Sequence, residues 1–334
     1  SINDKVSSVV RWDMDGPPGE RILVTGASGQ IGTDLVGELR KRYGRESVVA
    51  SDIREPEDDS SMSEGPFRLL SVLDGDSMES AIQEEGIGTV YHLAAILSAT
   101  GEANPELCHR VNVGGTVCVL EAARDFKLKV YAPSSIAVFG PDAPKVAPQV
   151  TPLNPTTMYG KTKVTGEVLA MNYWKQYGVD VRGIRYPGLI SWKAPAGGGT
   201  TDYAVDIFRA AIDTGHYECF VREDTQLPMM YMDDAIRGTI SLMESPSENL
   251  GSSRAGYNIG GMSFTAGQLA DAIARRMPEF TCDFIPDERQ NYADSWPNDV
   301  EDLEAREDWG WEPRFNLEEM VDEMLIRMRD DQSS

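Results

Sequence analysis

Positive charge is scarce in this sequence. Among 334 residues, 31 lysines and arginines face 54 aspartates and glutamates, for a formal net charge of −23 and a pI near 4.5. A field of that sign repels phosphate backbones and anionic lipid, which excludes nucleic acid and membrane surfaces as partners and leaves small molecules or other proteins. Histidine is rarer still, at three residues (His92, His109, His216), and the four cysteines (Cys108, Cys118, Cys219, Cys282) are scattered. None of these stands at metal-ligand spacing, so no metal site is expected, zinc-assisted chemistry is disfavoured, and the thiols are expected to be reduced. No apolar run approaches the roughly 18 residues of a membrane-spanning helix. The first 20 residues are too polar and acidic for a signal or transit peptide, so a targeting segment is expected to be absent or removed. Internal repeats and low-complexity tracts are lacking as well.

A chain of 334 residues can bury a large core, enough for one large α/β domain with a smaller lobe. The most informative stretch is Ile22-Leu23-Val24-Thr25-Gly26-Ala27-Ser28-Gly29-Gln30-Ile31-Gly32, an apolar run ending in glycines spaced three apart. It reads as a strand, a tight turn and a helix start. Gly26 frees the turn, Gly29 admits backbone amides to a pyrophosphate, and Gly32 lets helix and strand approach. Val48–Asp52 follows as a second strand. Asp52 falls 20 positions after Gly32, where it would bind a ribose 2′-hydroxyl and repel a 2′-phosphate. NAD is therefore favoured over NADP, with Arg54 keeping the alternative open.

Helices are expected over 30–43 with a stop at Gly44, over 74–85, from Asn104-Pro105 to about Lys127 with Asn104 as N-cap, and over 158–177. Strands are expected at 67–72, 89–95, 130–135 and 179–190. This alternation describes a doubly wound parallel sheet of the Rossmann type, an α/β fold. Beyond Ile190 shorter elements mix with acidic loops, and Asp233, Ser263 and Asn316 are expected helix N-caps. The expected organisation is an N-terminal extension at 1–20, an NAD-binding Rossmann domain at 21–190, and a mainly substrate-binding lobe at 191–334 that returns in places to the main sheet.

A doubly wound sheet holds its ligands beyond the carboxyl ends of its strands, and three segments fall there. Tyr159 and Lys163 stand four apart on one expected helix and share a face. A free phenol with a pKa of about 10 is a poor base at neutral pH. A neighbouring ammonium and a cationic nicotinamide would lower it by about 2–3 pH units, letting Tyr159 take a hydroxyl proton. Pro133-Ser134-Ser135 closes a strand where a hydroxyl can hold a substrate oxygen beside the tyrosine. Arg185-Tyr186-Pro187-Gly188 closes another, where backbone groups would meet a nicotinamide carboxamide. Taken singly these are a helix-surface pair, a turn and a strand exit; their conjunction points to one site. The cluster Met229, Met230 and Met232 reads as core.

The segments VTGASGQIG at 24–32, HLAA at 92–95, NVGGT at 112–116, PSSIAVFG at 133–140, YGKTK at 159–163 and RYPG at 185–188 resemble the extended short-chain dehydrogenase/reductase family over nearly the whole chain. The resemblance implies catalytic positions for Ser135, Tyr159 and Lys163, with Lys163 also on the nicotinamide ribose and Asn112 bracing the strands around the site. It further places Gln30, Ile31, Leu73, Leu93, Ala94, Ala95, Asn112, Pro187 and Leu189 beside Gly26, Gly29, Gly32 and Asp52 at the cofactor. Three more segments, GGGTTDY at 197–203, LPMMYMDD at 227–234 and DSWP at 294–297, are similar to those of the short-chain type of L-threonine 3-dehydrogenase within that family. That similarity implies oxidation of the threonine 3-hydroxyl by NAD to 2-amino-3-oxobutanoate, which a 2-amino-3-ketobutyrate CoA ligase would cleave to glycine and acetyl-CoA. The amides of Gly197–Gly199 would then meet the substrate carboxylate, with Ser98, Gly198, Thr200, Ser135, Tyr159 and Trp296 around the substrate.

Three departures from the family pattern matter. Ser71 stands at the usual adenine-contacting aspartate, Phe139 stands where many members carry tyrosine, and Gln226 stands where nucleotide-sugar members carry a diphosphate-binding arginine. A nucleotide-sugar epimerase or dehydratase is therefore the runner-up, and a non-catalytic dinucleotide sensor the alternative from another class. The resemblance also implies a homodimer through the helices at 105–127 and 158–177, and a mitochondrial matrix location if the source is eukaryotic, cytoplasmic otherwise.

Overall fold

Ile22 and Val24 join one buried cluster and Leu23 another, the period-2 signature of a strand covered on both faces. The computed structural model describes residues 21–57, 60 and 62–333; the expected extension over 1–20 lies outside them. In chain order the first half comprises β1 (Arg21–Thr25), α1 (Gln30–Tyr43), β2 (Val48–Asp52), β3 (Phe67–Leu69), α2 (Gly75–Glu85), β4 (Ile87–His92), α3 (Ser98–Ala103) and α4 (Pro105–His109). A π turn (Arg110–Gly114) leads to α5 (Gly115–Phe126), β5 (Lys129–Tyr131), β6 (Ser134–Ser135), β7 (Val146–Ala147) and α6 (Met158–Tyr177). The second half adds β8 (Val181–Arg182), β9 (Ile184–Tyr186), β10 (Gly188–Ile190), α7 (Tyr203–Asp213), β11 (His216–Cys219), β12 (Gln226–Tyr231), α8 (Met232–Glu244) and β13 (Tyr257–Asn258). It ends with β14 (Met262–Thr265), α9 (Ala266–Arg276), β15 (Thr281–Phe284), α10 (Arg289–Asp294), β16 (Asp299–Val300), α11 (Leu303–Trp309) and α12 (Leu317–Gln332).

The main sheet runs β3-β2-β1-β4-β5-β8, and every pairing in it is parallel. Strand order reverses between β1 and β4, which opens the crevice where such sheets take a dinucleotide. One face is covered by Leu35, Val36 and Leu39 of α1 with Ile236 and Ile240 of α8. The other is covered by Met78 of α2, Val119 and Leu120 of α5, and Ala170 and Tyr173 of α6. A third cluster, including Phe208, Leu227, Leu269, Ile273, Met320 and Met324, fills the carboxyl-terminal part, and Met229, Met230 and Met232 are buried as expected. Among the described residues no helix is long and apolar enough to cross a membrane.

The doubly wound architecture agrees with expectation, but several boundaries do not. The single strand expected at 179–190 is three: β8 pairs with β5, β9 with β6 and β13, and β10 with β12. The breaks fall at Gly183, whose amide donates to Arg254 O at 2.7 Å, and at Pro187, which has no amide to donate. Strand four stops at His92 instead of Ala95: the Leu93 amide is shared between Thr25 O at 3.2 Å and the Thr25 hydroxyl at 3.1 Å, and the Ala94 amide donates to that hydroxyl at 3.4 Å. Strand three stops at Leu69 and strand five at Tyr131. Asn104 precedes its helix without a side-chain cap, and its amide closes α3 by donating to Thr100 O. Asp233 lies inside the first turn of α8 and Ser263 lies inside β14; Thr265 caps α9 reciprocally with Gln268. Asn316 does cap α12, reciprocally with Glu319.

Candidate active site

The crevice begins at the glycine turn. Gly26 adopts φ 62°, and a Cβ there would lie 2.6 Å from Ala94 N, so only glycine lets the 93–95 loop close over the turn. Gly29 is the N-cap of α1, with Gln30, Ile31 and Gly32 in its first turn, so the helix presents its amide end to the crevice. Asp52 closes β2 and accepts from Ser28 N at 3.1 Å and Ile53 N at 2.7 Å, fixing a carboxylate beside the turn. Beyond β3, Leu73 is 42% exposed, and the Ser71 hydroxyl accepts from the Leu73 amide at 3.3 Å. A cradle that one added methyl group would fill, with a fixed acceptor beside it, fits a dinucleotide.

The second component is the start of α6. Thr157 Oγ1 accepts from Gly160 N at 3.0 Å, and Glu102 Oε1 of α3 accepts from Met158 N. A Cβ on Gly160 would lie 2.2 Å from Ala137 O, so α6 packs directly on the short turn that follows Ser135. Ser135 itself caps that turn by accepting from Ala137 N at 3.1 Å. The close approach brings Tyr159 beside Ser135, near enough for the serine hydroxyl to act on the phenol. Lys163 Nζ donates to Pro133 O at 3.1 Å and stands 5.5 Å from the centroid of the Tyr159 ring.

The expected depression of the phenol calls for a cationic nicotinamide beside it; the protein's own groups act the other way. Burial pushes Tyr159 up to about 12, partly opposed by the Ser135 hydrogen bond and reinforced by Cys108. Burial brings Lys163 down to about 8, with Cys108 and Glu167 opposing.

These groups line a cavity of about 130 Å³ together with Gln30, Ile31, Leu93, Ala95, Pro187 and Leu189. Ser98, Thr200 and Trp296 reach it as well. Ser98 Oγ and Thr200 Oγ1 are 2.9 Å apart, and Trp296 is 8% exposed with a buried indole N–H that has no partner. The glycine loop behaves otherwise than expected. Gly198 N and Gly199 N both donate to Asp202 Oδ2, at 2.9 and 2.8 Å, so a side chain of the same loop occupies the amides read as free for a substrate carboxylate. Burial raises Asp202 to about 6, with the Gly199 and Gly198 amides pulling it back. Asp202 lines the cavity with Leu97, Ile136, Tyr186 and Thr201; Tyr186 belongs to the expected segment at 185–188, and the others had no site role in the sequence reading. The signal for Asp202 was present in GGGTTDY, where an acid follows close on the glycines.

Asn112 sits in the π turn, an irregularity common at functional sites. Its side chain accepts from Ile96 N at 2.8 Å and donates to Ile96 O and to Thr162 Oγ1, both at 3.0 Å. It therefore ties the 93–97 loop to α6, and Ala94 and Ala95 line a small chamber beside it and Lys163. Below the site, Glu167 accepts from Arg185 Nε at 3.0 Å and Nη2 at 2.8 Å and from Ser134 Oγ at 2.5 Å. Removing one partner of so buried a pair costs about 3–5 kcal/mol.

Comparison with known proteins agrees with this geometry. The pattern of the NAD dependent epimerase/dehydratase family matches residues 22–260. An uncharacterised epimerase/dehydratase of Staphylococcus aureus is 47% identical over 308 residues, 92% of this chain and 96% of its own length. Among solved structures, the holo form of a GalE-like L-threonine dehydrogenase from Cupriavidus necator is 48% identical with a TM-score of 0.89, covering 92% of this chain and 99% of its own. A monomeric L-threonine 3-dehydrogenase from a metagenome is 51% identical with a TM-score of 0.89, at the same coverage. The chain belongs to the NAD dependent epimerase/dehydratase family, with the extended short-chain dehydrogenase fold and NAD as its cofactor.

Proposed function

We propose that this enzyme oxidises the 3-hydroxyl of L-threonine with NAD, yielding 2-amino-3-oxobutanoate. The observation that carries this reading is the cavity, about 130 Å³ in volume, in which a serine, a tyrosine and a lysine meet. Gln30, Ile31, Leu93, Pro187 and Leu189 line the same cavity, so the nicotinamide and the substrate would meet in it beside Tyr159. The arginine of a diphosphate clamp is replaced by Gln226, whose Nε2 donates to Ser263 Oγ at 2.8 Å. A nucleotide sugar would thus bury phosphate charge without a cation. The names of the two solved dehydrogenases point the same way.

Ser135 Oγ holds the substrate hydroxyl oxygen, and Tyr159 Oη takes its proton. Bound NAD supplies the hydride acceptor and a cationic ring that opposes the burial holding Tyr159 near 12. Lys163 donates to the cofactor ribose, Asp52 accepts from the other ribose, and Leu73, Pro187 and Leu189 give apolar and backbone contacts. On the substrate, Asp202 faces the ammonium group. The unpartnered Trp296 N–H, with the Ser98 and Thr200 hydroxyls, faces the carboxylate, a role that the occupied glycine amides leave to them. In this division residues 21–190 serve NAD and 191–334 mainly the substrate.

The β-keto acid product calls for a CoA-dependent cleaving ligase as its consumer. The curated relative is bacterial, which supports the cytoplasm as the place of the reaction; a mitochondrial matrix location holds only for a eukaryotic source. A homodimer would use α5 and α6, where Val168 is 54% and Tyr177 51% exposed; a monomer by light scattering, the state named for the metagenomic enzyme, would overturn that assembly. NADH formation from L-threonine, set against other alcohols and nucleotide sugars, tests the function. Threonine should dominate, and turnover of UDP-galactose alone would overturn the reading.

A further inference from the structure

The segment from Leu189 to Asp202 runs along the cavity as a strap, since Leu189, Gly199, Thr200 and Asp202 all line it. Its far end is tied to α3, where Ala99 N donates to Gly198 O at 3.1 Å and Ser98 meets Thr200. Its near end is tied to α1, the helix that starts at the dinucleotide turn. Gln30 Nε2 donates to Leu189 O at 3.2 Å. Ser191 Oγ donates to Asp34 Oδ2 at 3.3 Å, and Lys193 Nζ pairs with Asp34 Oδ1 at 3.3 Å. Gln30 and Asp34 are four residues apart and share one face of the helix.

Asp34 takes no part in the chemistry described above, yet it is a carboxylate only 7% exposed. Burial raises its pKa, and the groups that pull it back, Lys193 first and Ser191 after it, both belong to the strap. A buried carboxylate is costly unless paired, so the ionised side chain favours the arrangement in which the strap is seated. Trp192, between the two tethers, accepts from Arg209 Nη2 of α7 through its carbonyl, at 3.1 Å. The near end is therefore held from two sides before the chain turns toward Gly198.

We infer that Asp34 is a positioning residue: by holding Ser191 and Lys193 it seats the substrate-side strap against the cofactor helix, so that order in the dinucleotide turn reaches the residues lining the substrate cavity. In its effect on threonine this rests on the function proposed above; in its effect on the strap it does not.

The test uses the full chain carrying Asp34→Asn, Lys193→Met, and both. Hydrogen exchange over 194–202 is followed with and without NAD and in the absence of substrate. NAD should slow exchange in the parent protein, and each variant should lose that protection. With NAD saturating, KM for L-threonine should rise about tenfold while the dissociation constant of NAD stays within about twofold. The double variant should be little worse than Asp34→Asn alone, because each single change already removes the Asp34–Lys193 ion pair, and Asp34→Glu should restore part of the effect. Unchanged protection in Lys193→Met, whose partly exposed side chain leaves the core intact, would overturn the inference, as would additive losses or equal losses of NAD and threonine affinity. If the parent protein fails to oxidise threonine, the functional reading falls while the exchange measurement still decides the role of Asp34.

Discussion

The two walls of the active-site crevice are built differently. On the cofactor side backbone meets backbone, and a Cβ at Gly26 would collide with Ala94 N. On the substrate side the contacts are polar side chains from distant segments: Ser98 and Thr200 are 102 residues apart, and Asp202 holds its loop through two amides. Shape fixes the first wall, so change there is close to all-or-none. Replaceable hydrogen bonds fix the second, so change there is graded, which is how one cofactor half can serve many substrate halves.

The sharpest separation of the two comes from Tyr159→Phe, which removes the proton acceptor without disturbing the cradle. Turnover should fall by about 10²–10⁴ with the NAD dissociation constant nearly unchanged; comparable turnover in the variant would take Tyr159 out of the mechanism. Gly26→Ala attacks the other wall. Left-handed strain and the backbone clash together should cost about 3 kcal/mol or more, seen as loss of NAD binding and a lower Tm, and near-normal binding would refute the all-or-none picture. Asp202→Asn should be milder, raising KM for L-threonine about tenfold with little effect on NAD; an unchanged KM would remove Asp202 from the substrate.

Titration distinguishes the walls by sign. Asp202 has a folded pKa of about 6, above its ordinary 3.8, so the folded state holds the extra proton and stability falls as pH rises from about 4 to 6. His92, under the cofactor wall, is lowered by burial and by Lys163 from 6.5 to about 3. There the unfolded state binds the extra proton, so stability is full above about 6.5 and is lost as pH falls toward 3. Denaturant melts across pH 3–7 should show Asp202→Asn flattening the first slope and His92→Gln the second; the reverse assignment would contradict both. The smallest effect is on cofactor choice. Asp52→Ala should shift preference toward NADP by about tenfold, and a parent protein that already prefers NADP would contradict the reading of that carboxylate.

Legibility in the sequence followed the range of the contacts. The glycine turn and its strand pair lie within a short stretch, so fold class and cofactor could be read directly, and the helical period of Tyr159 and Lys163 put both on one face of α6. Ser263 was misread because its polarity suits a cap equally well, and only the pairing of Pro228 with Ser263 reveals a strand there. The division of 179–190 had its signals in Gly183 and Pro187, but which partner each piece takes depends on β13 and β12, which lie far along the chain. Asp202 was missed because its loop closes on itself: amides that look available in a linear string are claimed by a neighbour once the turn forms.

The π turn at 110–114 can be understood as stored phase. A residue added to one turn advances everything after it by about 100°, so α4 and α5 are one shaft with its two ends keyed at different angles. The upstream key sets Asn112 against Ile96 and Thr162, and the downstream key sets Val119, Leu120 and Ala123 into the sheet. Deleting one residue between them would return the shaft to a uniform pitch, and it could then engage only one key: either the site brace or the core stripe would face the wrong way. The 93–97 loop is thus timed to the core by a count of residues, and no single side-chain substitution along the helix can reset it.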